Sequence, residues 1–292
     1  MWGQLRYHEG ARWTYWVQVL AIWPLADQKE SVIGVLRGVQ RVWAVSAIHG
    51  ELERLKALHD QLETHFIPGD RLVYLGNYVG SGKKILETLD ELLLFRRSLM
   101  ARFNLFGGDI IYLRGRQEEM WQKLLQLQLA QDPSLVLEWM MVQGVAPTLI
   151  AYGSNPEKGR MWCRDGAQSL ARWTSGLRDC VRQKDGHSQL FSALRRAAVT
   201  ENNELLLVHA GIDATRPLWA QTDSFWWGSS GYNTLEPTYE GFARIVRGFD
   251  PDEAGSSLNN YAVTLDNGCG SGGSLHAACF GLGGEVVCEV NG

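Results

Sequence analysis

From residue 41 onward the chain alternates short apolar runs with amphipathic stretches, and this alternation limits the possible folds more than any other feature. Arg41–Ser46 (RVWAVS) reads as a buried strand. Across 50–66, Leu52, Leu55, Leu58, Leu62 and Phe66 recur at helical spacing with charges between them. Arg71–Leu75 (RLVYL) is strand-like, 83–100 is helical, and Ile110–Leu113 (IIYL) is a third strand. A β-α-β-α-β start predicts a layered α/β domain whose first sheet is largely parallel. Glu118–Leu129 and Ser134–Met141 read as helices, about 153–200 as polar and helical, and Leu205–Val208 (LLLV) as a strand. Ala243–Val246, Tyr261–Leu265, Leu275–Phe280 and Glu285–Val290 are short strands between glycine-rich turns, a pattern that predicts a second, more antiparallel sheet. The expected architecture is α/β: a four-layer α-β-β-α sandwich, two facing mixed sheets flanked by helices. No linker divides 41–292. Residues 1–40, with Trp2, Trp13, Trp16 and Trp23, are expected to form a Trp-rich extension packed on that domain.

Composition narrows the function. Lys+Arg total 28 and Asp+Glu 32, a net charge of −4, which gives no electrostatic case for a nucleic-acid partner. Five cysteines without a CxxC pair argue against a disulfide framework or a zinc ribbon and predict free thiols in a reducing cytoplasm. No apolar run reaches the roughly 18 residues of a membrane span, and the start lacks the order of a signal peptide.

In open α/β sheets, ligands bind in loops at the carboxyl ends of strands. Those loops are Ser46-Ala47-Ile48-His49-Gly50, Gly76-Asn77-Tyr78-Val79-Gly80-Ser81-Gly82, Arg114-Gly115-Arg116-Gln117-Glu118-Glu119-Met120, His209-Ala210-Gly211-Ile212-Asp213, Arg247-Gly248-Phe249-Asp250-Pro251 and the glycine-rich stretch Asp266–Ser274. Their order and spacing from about Arg41 to Val290 resemble the calcineurin-like metallophosphoesterases, in particular bacterial serine/threonine-phosphatase-type and diadenosine-tetraphosphatase-type members. Trp139–Gly153 and the terminal Asp-x-Gly-Cys…Gly-Gly-x-Leu are similar to segments of that family.

The resemblance also implies where its metal and phosphate residues should lie, and most of them are changed. The pattern Gly-Asp-x-His-Gly has Ala47 for its aspartate and keeps His49. Gly-Asp-x-x-Asp-Arg-Gly has Asn77, Gly80 and Ser81 at its two aspartates and its arginine. Arg-Gly-Asn-His-Glu keeps Arg114, Gly115 and Glu118 but has Arg116 and Gln117 for its asparagine and histidine. The His-Ala-Gly ligand remains as His209, and the last ligand histidine is Phe249. Two-metal hydrolysis needs oxygen donors, preferably carboxylates, to hold hard cations and generate a hydroxide nucleophile. Arg116 adds a cation beside them. At 4 Å and an effective dielectric near 20, a dication and a guanidinium repel by roughly 8 kcal/mol, and arginine does not shed its proton to relieve this.

The expectation is therefore a catalytically impaired homologue, a pseudo-phosphatase serving as a binding, scaffold or regulatory protein. It has no catalytic residues and no cofactor, or at most one zinc or manganese ion on His49, Asn77 and His209. Its partner is a protein or a phosphate-bearing small molecule, the latter held by Arg114, Arg116 and Arg247 without turnover. Two uses of Arg116 stay open: gripping an anion, or pairing with Glu118, Glu119 or Asp250 to plug the cleft. The alternative is an active phosphoesterase with a mononuclear site or one rebuilt from Glu51, Asp213, Asp250 or Asp252. Gly80–Lys84 misses the P-loop pattern at Asn77 and Lys84, and Cys269 has no His-Asp relay marking it as a nucleophile.

Overall fold

A computed structural model describes residues 32–292, apart from 230, 238, 254, 259 and 260. The four N-terminal tryptophans lie outside the described residues. Among the described residues ten strands make two five-stranded sheets. One sheet has the order β1 (Ile33–Leu36), β5 (Ala197–Thr200), β6 (Leu205–Val208), β7 (Arg244–Arg247), β8 (Ala262–Thr264). The other has the order β10 (Val286–Asn291), β9 (His276–Gly281), β2 (Arg41–Val45), β3 (Asp70–Tyr74), β4 (Ile110–Tyr112). Both are mixed. β2, β3 and β4 run parallel, as do β6, β7 and β8, while β9, β10 and the β5–β6 pair are antiparallel.

Strand alternation builds the layers. In β2, Val42 and Ala44 join an inter-sheet core that also holds Val73, Leu75, Leu205, Leu207, Val246 and Phe280. Trp43 and Val45 face the other way, into a core shared with the long helices α1 (Leu52–His65) and α2 (Ile85–Phe103). In β6, Leu206 and Val208 turn outward onto Phe225 and Tyr232. Strands buried on both faces need apolar residues at every position, which is why RVWAVS and LLLV are legible in the sequence.

Two features of the sheets depart from the reading. β1 lies within the expected extension yet pairs in parallel with β5, so the sheet begins before residue 41. The C-terminal strands do not form one sheet of their own. β7 and β8 extend β6, whereas the β9–β10 hairpin adds antiparallel to β2. Six consecutive buried residues in β9 need covered surface on both faces, which the free edge of β2 between helices and inter-sheet core supplies. Among the described residues no helix is long and apolar enough to cross a membrane.

Candidate functional site

The parallel triplets β2–β3–β4 and β6–β7–β8 bring their carboxyl ends to one edge of the sandwich, and backbone bonds tie the emerging loops together. His49 N–H donates to Asn77 O at 2.6 Å, Gly82 N–H to His49 O at 2.6 Å, Ala47 N–H to Gly248 O at 2.9 Å and Phe249 N–H to His209 O at 2.9 Å. The approach is so close that a Cβ on Gly115 would lie 2.2 Å from the Asn77 nitrogen, and one on Gly76 would lie 2.6 Å from the Gly115 nitrogen. His49 (φ 58°) and Asn77 (φ 52°) sit in the left-handed region, a conformation that costs free energy outside glycine and clusters at functional loops.

Helix α3 (Arg116–Leu124) starts at this junction. Glu118, fully buried, accepts from the backbone N–H of Asn77 (2.8 Å), Gly115 (2.9 Å) and Val79 (3.1 Å). Burial nevertheless pushes its carboxyl up to about 7 against those three donors. Asn77 Oδ1 accepts from Gln117 N–H at 2.9 Å, and the Asn77 amide lies 3.3 Å from His49 Nε2.

The centre of the junction is occupied by Phe249. Its ring lies parallel to His209 at 5.3 Å and tilted against His49 at 5.9 Å, and its neighbours in an apolar cluster are Ala47 and Ala210. The Arg116 guanidinium stands 4.6 Å over the Phe249 ring and 5.8 Å from Trp227. Both imidazoles are neutral near pH 7. Burial, aided by the Arg116 charge, pushes His49 down to about 4, and burial pulls His209 to about 3. His209 Nδ1 lies 2.6 Å from the Leu75 carbonyl, which only accepts, so Nδ1 carries the proton. His209 Nε2 is buried with no partner among the described residues.

Above this plug is a cleft of about 450 Å³, lined by His49, Ser81, Arg116, Gln117, Phe249 and the Asp266–Ser271 loop, with Glu253 at its border. Burial lowers Arg116 to about 10, with Glu253 and Asp266 holding it up, so it is a cation at neutral pH. Its Nε is buried and unbonded, and no carboxylate lies within ion-pair distance of it among the described residues.

The carboxylates considered for Arg116 are committed elsewhere. Glu118 faces backbone N–H groups, Glu119 holds Arg114 (3.2 Å) and Lys123 (3.4 Å), and Asp250 holds Arg247 (2.9 Å). Arg247 is itself buried, donating to Thr264 Oγ1 at 2.8 Å over the Tyr232 ring, and Arg114 lines a different cavity. Of the three arginines considered for ligand binding, the fold brings only Arg116 into the cleft. Ser81 donates to Gly270 O, Gln117 donates to Gln143 O, and Gly80 leaves room for His49 and Gln117, which a Cβ would approach to 3.1 Å. Asp213 pairs with Arg216 at the surface. Trp227, Gln143 and Glu253 were not singled out from the sequence. Glu253 is left-handed (φ 52°); Gln143 falls inside the Trp139–Gly153 segment, and no local motif marks Trp227 or Glu253.

A dinuclear centre of hard cations does not fit these donors. His49, Asn77 and His209 offer no carboxylate, the Asn77 oxygen is engaged, Phe249 packs against both imidazoles, and Arg116 places a cation beside them. Among the described residues no three His, Cys, Asp or Glu side chains converge to hold a metal.

No protein-family model matches the chain, and no curated protein matches it. Solved structures do. A protein provisionally assigned as a diadenosine tetraphosphatase aligns with a TM-score of 0.52 and 19% identity over 89% of this chain and 98% of its own. A cold-active protein tyrosine phosphatase aligns at 0.48 and 14% over 91% and 83%, and a metallophosphoesterase from Sphaerobacter thermophilus at 0.42 and 12% over 87% and 88%. The first of these carries the argument, and at its identity the likeness is one of fold.

Proposed function

We propose that this chain, whose fold is that of the calcineurin-like metallophosphoesterases, works as a binding protein and not as a phosphatase. It holds a phosphate-bearing ligand on Arg116, free or displayed by a partner protein, without hydrolysing it. The observation that carries this reading is Phe249, packed between His49 and His209 with the Arg116 guanidinium on its face. An apolar ring there supports loss of metal chemistry, and the adjacent unpaired guanidinium supports direct charge recognition of an oxyanion. Glu253 and Asp266 line the same cleft, so a singly charged phosphodiester suits it better than a polyphosphate.

The test is turnover of p-nitrophenyl phosphate, a phosphoserine peptide and a dinucleoside polyphosphate by pure protein, with and without Mn²⁺ or Zn²⁺. The expected result is no metal-dependent rate, together with calorimetric binding of a phosphodiester that disappears in Arg116→Ala. Metal-dependent turnover abolished in His49→Ala/His209→Ala would overturn the reading and establish a metal-dependent enzyme.

A further inference from the structure

Another face of α3 borders a second cavity, of about 240 Å³, lined also by α4 (Ala167–Arg182) and α5 (His187–Ala193). Its wall is apolar where Trp121, Val181 and Phe191 meet, and cationic where Arg114, Arg178 and Arg182 reach it. The three cations are not equivalent. Arg114 is held by Glu119 at 3.2 Å, and Arg182 is held by Asp179. Arg178, half-buried, donates to the Leu125 carbonyl and has no carboxylate within ion-pair distance among the described residues. Its positive charge is therefore unneutralised.

Trp121 adds an independent observation. It is 1% exposed, stacks on Tyr152 at 5.2 Å, and its Nε1–H is buried with no acceptor among the described residues. A buried donor without an acceptor is destabilising, and native proteins rarely keep one unless something completes it. Glu118 also borders the cavity, but its oxygens are turned to three backbone N–H groups on the junction side.

We propose that this cavity binds a small organic monocarboxylate with an apolar body. The uncompensated Arg178 cation matches the single charge of a carboxylate. The apolar wall accepts the body, and the volume lies below that of drug-sized pockets. The proposal is independent of the Arg116 cleft.

The probe is phenylacetate, with neutral phenylacetamide as its isostere, titrated into the full chain by calorimetry. Phenylacetate binds at one site, and phenylacetamide binds at least tenfold more weakly. Arg178→Gln weakens phenylacetate at least tenfold, whereas Arg116→Ala leaves it unchanged. Should Arg178→Gln fail to fold by circular dichroism, Ser192→Trp at the exposed rim of the cavity fills the space without touching the charge, and it abolishes binding. No heat with phenylacetate at millimolar concentration, equal affinity for acid and amide, or loss in Arg116→Ala with retention in Ser192→Trp would each overturn the assignment.

Discussion

Replacing Phe249 with alanine tests the physical core of the functional reading. The ring is 8% exposed and packs on two imidazoles, two alanine methyls and a guanidinium. Deleting a buried phenylalanine costs roughly 3–5 kcal/mol through lost transfer energy and the cavity left behind. Because the ring borders a cleft that water can enter, the low end applies, about 3 kcal/mol. The cation–π contact with half-buried Arg116 contributes about 1 kcal/mol of that. Phe249→Ala, Arg116→Met and the double variant form a cycle that isolates it, since the two residues touch and their effects should not add. The assay is urea unfolding at pH 7.5, read as a lowered midpoint at constant m. Water admitted beside His209 should also raise that imidazole toward its ordinary value of 6.5, visible by NMR. A loss below about 1 kcal/mol with zero coupling would mean that Phe249 is a bystander at the cleft wall, and the argument for a plugged centre would fall.

Three further outcomes follow from the same geometry. His49 and His209 titrate near 4 and 3 when folded but near 6.5 when unfolded, so their neutral forms contribute stability that is complete above pH 6.5 and is lost as pH falls toward 4 and then 3. For His49 alone this reaches about 3 kcal/mol at 1.36 kcal/mol per unit, and a His49→Gln/His209→Gln variant should flatten the acid slope of the urea midpoint; an unchanged slope refutes it. Glu118, held at about 7 against an ordinary 4.5, acts with the opposite sign: its stabilising contribution is complete below pH 4.5 and is lost as pH rises through 7. Glu118→Gln should abolish that opposing slope while costing about 2 kcal/mol, because its NH₂ meets backbone N–H donors. Gly115→Ala should destabilise by about 3 kcal/mol, since its Cβ would strike the Asn77 nitrogen and the backbone must move; a melting temperature within 2 °C of the parent, roughly 1 kcal/mol or less at this chain length, would show that the loops are less tightly joined.

Strands that are covered on both faces declare themselves by uninterrupted apolar residues, which is why β2, β3, β4 and β6 were readable. β5 (Ala197–Thr200) was not, because two alanines carry weak strand preference and follow a long helical stretch. The partition of the last four strands was hidden for another reason. Which edge a hairpin joins is decided by non-local pairing, and nothing within residues 276–291 encodes β2 as the partner. At the site, the convergence of His49, Asn77, Arg116, His209 and Phe249 was legible because each follows a strand end. Arginine allegiance was not. Arg114, Arg116 and Arg247 look alike in sequence, but Glu119 and Asp250 claim two of them and leave the third in the cleft.

The net of main-chain bonds beneath the cleft has a consequence for substitution. Because His49, Asn77, Gly82, Ala47 and Phe249 are tied through their amides and carbonyls, side chains can be exchanged there without dismantling the frame. A route from this junction to a metal centre is contingent on order. An aspartate installed at Ala47 while Phe249 still fills the space would be a buried charge without a partner, and a metal could not approach while Arg116 stands beside it. Each such substitution is harmful until the others are made. A set of metal-binding side chains could therefore be built at this junction only by concerted change.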